Sequence, residues 1–134
     1  LKFIRESKDS QTSNWQSRLL SGKGARLNKQ GQLDAALKNI KEQFAFVGLT
    51  ERFDASIRGI CETVGWPQFE PRRENVGAER PPRSYYSDVE LKAIEERNEY
   101  DLELYRVAER LFTKRLARLD ELIGCAKKQR GGGI

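Results

Sequence analysis

The stretch Phe44–Ser56, reading FAFVGLTERFDAS, constrains the fold more than any other. Phe44–Leu49 is a short apolar run, partly β-branched and interrupted by Gly48. Such a run reads as a buried strand of the kind found in parallel sheets. On its N-terminal side, Leu33, Ala36, Leu37, Ile40 and Phe44 recur at helical spacing and predict an amphipathic helix of about three turns. On its C-terminal side, Phe53, Ile57, Ile60, Cys61 and Val64 fall on one helical face, with Thr50 as the N-cap. Gly65-Trp66-Pro67 ends that helix, because proline lacks the N–H that would continue it. Helix, strand, helix in that order is the pattern of an α/β protein.

The rest of the chain is organised around this block. Leu1–Ser13 is polar and irregular. Trp15–Leu20 predicts a short helix ending near Gly22, and Ser21–Arg26 a loop. Gln68–Tyr86 is a loop too long for a plain connector, and such loops tend to be functional or disordered. Ser87-Asp88-Val89-Glu90 is a capping box, with Ser at the N-cap and Glu three residues on. Helical periodicity then runs to about Ile123, broken once near Asn98, with Gly124 as the stop. Tyr105, Leu111, Phe112, Leu116 and Leu119 form its core stripe. Asn98 and Asp101 share the face of Ile94, Tyr105 and Ala108. Polar groups there need partners, so both are structural residues, tying the helix to a strand end or to the Thr50–Arg52 turn. The expected organisation is one domain over 1–124 and a basic, glycine-rich, disordered tail over 125–134. There is no internal repeat.

Of the 134 residues, 37% are hydrophobic and 34% charged, a polar balance for a chain of one domain. The absence of Met makes Leu1 an unexpected translation start, so the chain is expected to be part of a longer one. No apolar run approaches transmembrane length and no signal peptide is visible. The net charge of +5 suits an anionic partner without choosing its class. Two cysteines and no histidine exclude a Cys/His zinc site of ordinary spacing and a Ser–His or Cys–His dyad. Cys61 lies on an apolar stripe and reads as a buried thiol; no sequence feature pairs it with Cys125.

Five blocks occur in a specific order. They are SNWQSRLLSG (Ser13–Gly22), FAFVGLTERFDAS, Asn75-Val76, Arg80-Pro81-Pro82, and IEERNEYDLELYRVAERLF (Ile94–Phe112). In this order, from about Ser13 to Arg115, the chain resembles the C-terminal half of a carbohydrate sulfotransferase. It is most similar to the heparan sulfate 6-O-sulfotransferase group and its bacterial relatives. The resemblance implies a P-loop-like α/β sulfotransferase fold. This chain would be its helix-rich C-terminal part, with about one buried parallel strand (Phe44–Leu49) and a long C-terminal helix. It also implies an enzyme moving a sulfuryl group from 3′-phosphoadenosine 5′-phosphosulfate to a carbohydrate hydroxyl, without a metal. The partners implied are a nucleotide donor and a glycan acceptor, with no nucleic acid. The location is the cytoplasm for a bacterial protein, the favoured case, or the Golgi lumen for a eukaryotic one. The family's donor-diphosphate loop lies upstream of these blocks and is not in this sequence. The base proposed for the 6-O group is a histidine, so no residue here is assigned as catalytic.

On the same resemblance, Asn75, Gly77, Arg80 and Arg83 are donor-binding candidates, in a loop that closes over the nucleotide. Glycine lets backbone approach a phosphate, and arginine pairs with one bidentately. The family loop is shorter between its Asn and its Arg, which leaves open whether Arg80 or Arg83 corresponds; the competing reading is a solvated basic loop. Trp15, Gln16 and Arg18 are acceptor-binding candidates, the Trp to stack on a pyranose and the Arg to meet an acidic group. The competing reading makes Trp15 and Leu19 core and Arg18 surface. Glu51 and Arg52 follow a strand's C-terminal end, where α/β sites lie. Gly22-Lys23-Gly24 lacks the phosphate-loop spacing and a preceding strand, and reads as plain loop.

Two other functions compete. Arg110, Lys114, Arg115, Arg118, Lys127, Lys128 and Arg130 suit a basic helical module that tracks nucleic-acid phosphates. Against it, Glu90, Glu95, Glu96, Glu99, Asp101, Glu103 and Glu109 fill the first half of the same helical stretch. A helical protein-binding module, using the Gln68–Tyr86 loop, is the other.

Overall fold

The structure is a computed structural model that describes residues 6–7, 12–22, 26–70 and 81–130, the side chains of 124–130 excepted. The described residues include helices α1 (Trp15–Leu20), α2 (Lys29–Glu42), α3 (Phe53–Val64), α4 (Asp88–Arg97) and α5 (Glu99–Arg130). Single 3₁₀ turns lie at Thr50–Arg52 and Arg83–Tyr85. The chain divides into two compact units, one of Leu1–Glu42 with Arg72–Arg106, the other of Gln43–Pro71 with Val107–Ile134. The architecture is helix-rich, and among the described residues there is no strand.

In the first unit, α2 begins where Asn28 accepts a hydrogen bond from the Gly31 N–H at 2.8 Å. It buries Leu33, Ala36 and Ile40, spaced as one helical face requires. The sequence extends that stripe to Phe44, which instead lies past the helix end, 40% exposed. α1 packs on α2, and Asn39 donates to the Leu20 carbonyl at 2.8 Å, satisfying an orphan group at the end of α1. The capping box opens α4 as expected: the Glu90 N–H donates to Ser87 Oγ, and the Ser87 N–H donates to the Glu90 carboxylate at 3.0 Å. That backbone bond, then the one from the Ser87 hydroxyl, holds the Glu90 carboxyl below its ordinary range. The helical break falls at Asn98, with φ −118° and ψ 27°.

In the second unit, Phe46 meets Phe112 edge-to-face at 5.9 Å, with the planes at 70°. A Cβ on Gly59 of α3 would stand 2.3 Å from Phe46 Cζ, so any larger residue there would push this ring aside. Cys61 is fully buried as a free thiol. Arg58 of α3 pairs with Asp120 of α5, and this hydrogen bond raises the guanidinium's pKa and lowers the carboxyl's. Gly65 closes α3 as a left-handed cap at φ 73°, within the Gly65-Trp66-Pro67 stop that the sequence places there.

Several expectations are corrected. Phe44–Leu49 is not a strand. The Leu49 N–H donates to Ser56 Oγ at 2.8 Å, and the Leu49 carbonyl accepts from that hydroxyl at 2.9 Å and from the Arg52 N–H at 3.1 Å. A side chain and a turn occupy the groups that a neighbouring strand would use. Thr50 is not an N-cap, since it lies inside the 3₁₀ turn and α3 starts after Arg52 with no side-chain cap. Gly124 does not stop α5, which continues to Arg130; an isolated glycine costs a helix about 1 kcal/mol and does not break it. The buried face of α5 is Leu104, Ala108 and Phe112. Tyr105 is exposed, and Leu111, Leu116 and Leu119 are half-buried, because the face is phased one residue from the expected stripe. On α3, Phe53, Ile60 and Val64 are exposed, while Ser56 and Gly59 are buried. Residues 131–134, in the expected tail, lie outside the described residues.

Candidate functional site

The most elaborate polar arrangement joins 13–17 to 97–101 within the first unit. Asn14, in the left-handed region at φ 48°, precedes α1. Asparagine tolerates that conformation better than most residues. Its Oδ1 accepts from the Tyr100 N–H at 3.0 Å and the Asp101 N–H at 3.2 Å, two orphan donors of α5. In return, the Asp101 carboxylate accepts from the Gln16 N–H at 2.9 Å, the Ser17 N–H at 2.7 Å and the Ser17 hydroxyl at 2.6 Å. The first turn of each helix thus caps the other. Asp101 brings a negative charge to two helix N-termini, where the backbone dipoles favour one. Asn98 accepts from the Asn14 N–H at 3.0 Å, and Ser13 Oγ donates to the Arg97 carbonyl at 3.0 Å. The Arg97 guanidinium donates to the Ser7 and Thr12 carbonyls and to Thr12 Oγ1. Asn14 and Ser17 are buried.

Asn98 and Asp101 are therefore structural, as their types and positions predict, but their partner is the 13–17 block and not the Thr50–Arg52 turn. Sequence reasoning missed Asn14 and Ser17. The available signal was an Asn directly before a helix, a residue type suited to capping.

Trp15, Gln16 and Arg18 stand on α1, presented by this lock. Trp15 is 36% exposed and Leu19 63%, so neither is core. The Arg18 guanidinium lies 4.4 Å from the Trp15 ring centroid, a cation–π contact. The Gln16 side chain is exposed, its backbone N–H held by Asp101. Exposed indole beside a guanidinium suits a sugar ring carrying an acidic group.

Arg83 pairs with Glu95 at 3.0 Å, both side chains largely exposed, beside the edge-to-face pair Tyr85–Tyr86. Such a surface ion pair is worth about 0–1 kcal/mol. Asn75, Gly77, Arg80 and Lys23 lie outside the described residues. Among the described residues no hydrogen bond, ion pair or ring contact joins Arg83 to Trp15, Gln16 or Arg18. In the second unit, Arg52 lies over the Phe112 ring at 5.6 Å, and Glu51 is exposed. An open apolar depression of about 300 Å³ there is lined by Gln43, Phe44, Ala45, Phe46, Ile60 and Val64.

Among the described residues, no group of three or more His, Cys, Asp or Glu side chains could hold a metal ion, and no helix is long and apolar enough to cross a membrane. No protein-family model matches the sequence, and no curated protein or solved structure matches it significantly.

Proposed function

We propose that this chain is the C-terminal part of a P-loop-like carbohydrate sulfotransferase, which transfers a sulfuryl group from 3′-phosphoadenosine 5′-phosphosulfate to a glycan hydroxyl. One observation supports the reading most. The first and last of the ordered blocks, SNWQS and RNEYD, interlock residue by residue through Asn14, Ser17, Asn98 and Asp101. The residues that carry the resemblance thus act together, and they hold Trp15 and Arg18 outward where an acidic sugar can reach them.

Sulfuryl transfer needs cations for a polyanionic donor, a base for the acceptor hydroxyl, and stabilisation of charge on the bridging oxygen. In this reading, Arg83, with Asn75, Gly77 and Arg80, clamps the donor's phosphates. Arg83 is suited to this because its present partner is an exposed carboxylate. The base and the diphosphate loop come from residues that this sequence does not include.

The test uses the longer protein that supplies the donor loop. Adding 3′-phosphoadenosine 5′-phosphate should raise its melting temperature, as any ligand selective for the native state does. Arg80→Ala and Arg83→Ala should weaken donor binding with little change in stability. Unchanged donor affinity in both variants removes the loop from the donor site. No stabilisation by the nucleotide in the parent protein removes the transferase reading itself.

A further inference from the structure

Among the described residues some solvent-facing cations have a carboxylate beside them, while others, including Arg26, Lys29, Arg52 and Arg106, have none. Lys38, Arg58, Arg83 and Lys92 each have a carboxylate within 4.0 Å. Arg110, Lys114 and Arg118 are exposed on α5, and among the described residues none has one. They recur every four residues, so their stems rise along one ridge at intervals of ~6 Å, over ~12 Å of helix. Like charges four residues apart on a helix repel, so this spacing is unfavourable for the isolated chain. Glu109 and Glu121 flank the run without interrupting it, and Asp120 is engaged by Arg58. Between the cations the ridge carries Thr113 and Ala117, both small and exposed.

We propose that this ridge of α5 is a docking surface for a linear anionic polysaccharide, made of residues other than those proposed above for donor and acceptor. Three features favour it. The charges are evenly spaced and free to act together. The small residues between them allow a chain to lie flat, and the Thr113 hydroxyl can meet sugar hydroxyls. The ridge also lacks the exposed aromatics on which single-stranded nucleic acid stacks. The choice of a glycan over other polyanions rests also on the sulfotransferase reading.

The experiment is fluorescence anisotropy on this whole chain, with no nucleotide present, using a labelled heparin octasaccharide, an unsulfated hyaluronan octasaccharide and an oligothymidylate over a salt series. Heparin should bind best, with affinity falling steeply as salt rises. Arg110→Gln, Lys114→Gln and Arg118→Gln combined should lower heparin affinity at least ~10-fold, and each cation removed should reduce the salt slope by about one unit. Lys92→Gln, in the first unit, should leave both unchanged. Circular dichroism of the triple variant, whose changes are all exposed, should match the parent chain. Heparin binding that survives the triple variant, or no heparin binding at all, overturns the proposal. Oligothymidylate binding as tight as heparin overturns the glycan assignment and gives the ridge to nucleic acid. Because no donor is present, these outcomes are independent of the nucleotide titration. Either reading can fail while the other stands.

Discussion

Phe46, Gly59 and Phe112 are held by shape, whereas 13–17 and 97–101 are held by hydrogen bonds to helix ends. In the first region a ring lies where a glycine leaves room, and an edge-to-face contact completes the fit. In the second, a buried asparagine and an aspartate exchange caps between two helices. The difference concerns what each region tolerates. An aromatic seat accepts other apolar shapes at moderate cost. A reciprocal cap does not degrade gradually, because losing one acceptor leaves part-buried backbone donors, such as those of Ser17 and Tyr100, without their bonds.

The comparison breaks first in the aromatic region. Phe112→Ala should lower unfolding free energy by about 3–5 kcal/mol in a denaturant titration, since Phe112 is almost fully buried. Asp101→Ala should follow at roughly 3 kcal/mol, because charge-assisted bonds to two amides and a hydroxyl are lost together. Asp101→Asn separates the contributions: it keeps an acceptor but removes the charge opposite the helix ends. A loss as large as that of Asp101→Ala would assign most of the effect to charge. Gly59→Ala should cost about 1–3 kcal/mol by overpacking, although alanine is the better helix former. Adding Phe46→Leu to that variant should recover part of the loss, and simple additivity would show that the ring is not what excludes a Cβ. Ser87→Ala should cost about 1 kcal/mol as a lost N-cap.

The smallest effect concerns pH. The Glu90 and Asp120 carboxyls are both held below their ordinary values of 4.5 and 3.8. A depressed carboxyl contributes stability above its unfolded-state pKa and loses it as pH falls through the folded one. Unfolding free energy should therefore decline as pH drops below about 4.5. Glu90→Gln, which keeps a side-chain acceptor for the capping box, should flatten part of that decline.

Local chemistry was legible in the sequence. Ser87 and Glu90 lie three residues apart, and their capping box forms as read. The break at Asn98, the end of α3 at Gly65 and the buried Cys61 follow from neighbours in the chain. The errors arise where a local pattern needs a distant partner. Phe44–Leu49 has a strand's composition, but a strand is defined by a ladder, and Ser56 takes the backbone of Leu49 instead. The need of Asn98 and Asp101 for partners was visible; the identity of those partners was not, because they lie about 84 residues away. Arg110, Lys114 and Arg118 were legible as basic residues. That all three stand exposed on one ridge without a carboxylate emerged only from the fold.

The exchanged caps also fix an order of events in folding. α1 has six residues, too few to persist as a helix alone. Its first amides find their acceptor only after the chain has closed a loop of some 84 residues, a slow step among the contacts of a helical protein. Once closed, the amide protons of Gln16, Ser17, Tyr100 and Asp101 are sheltered by one arrangement. In native-state hydrogen exchange these four protons, from opposite ends of the sequence, should open together with a single free energy, as one cooperative unit of the molecule.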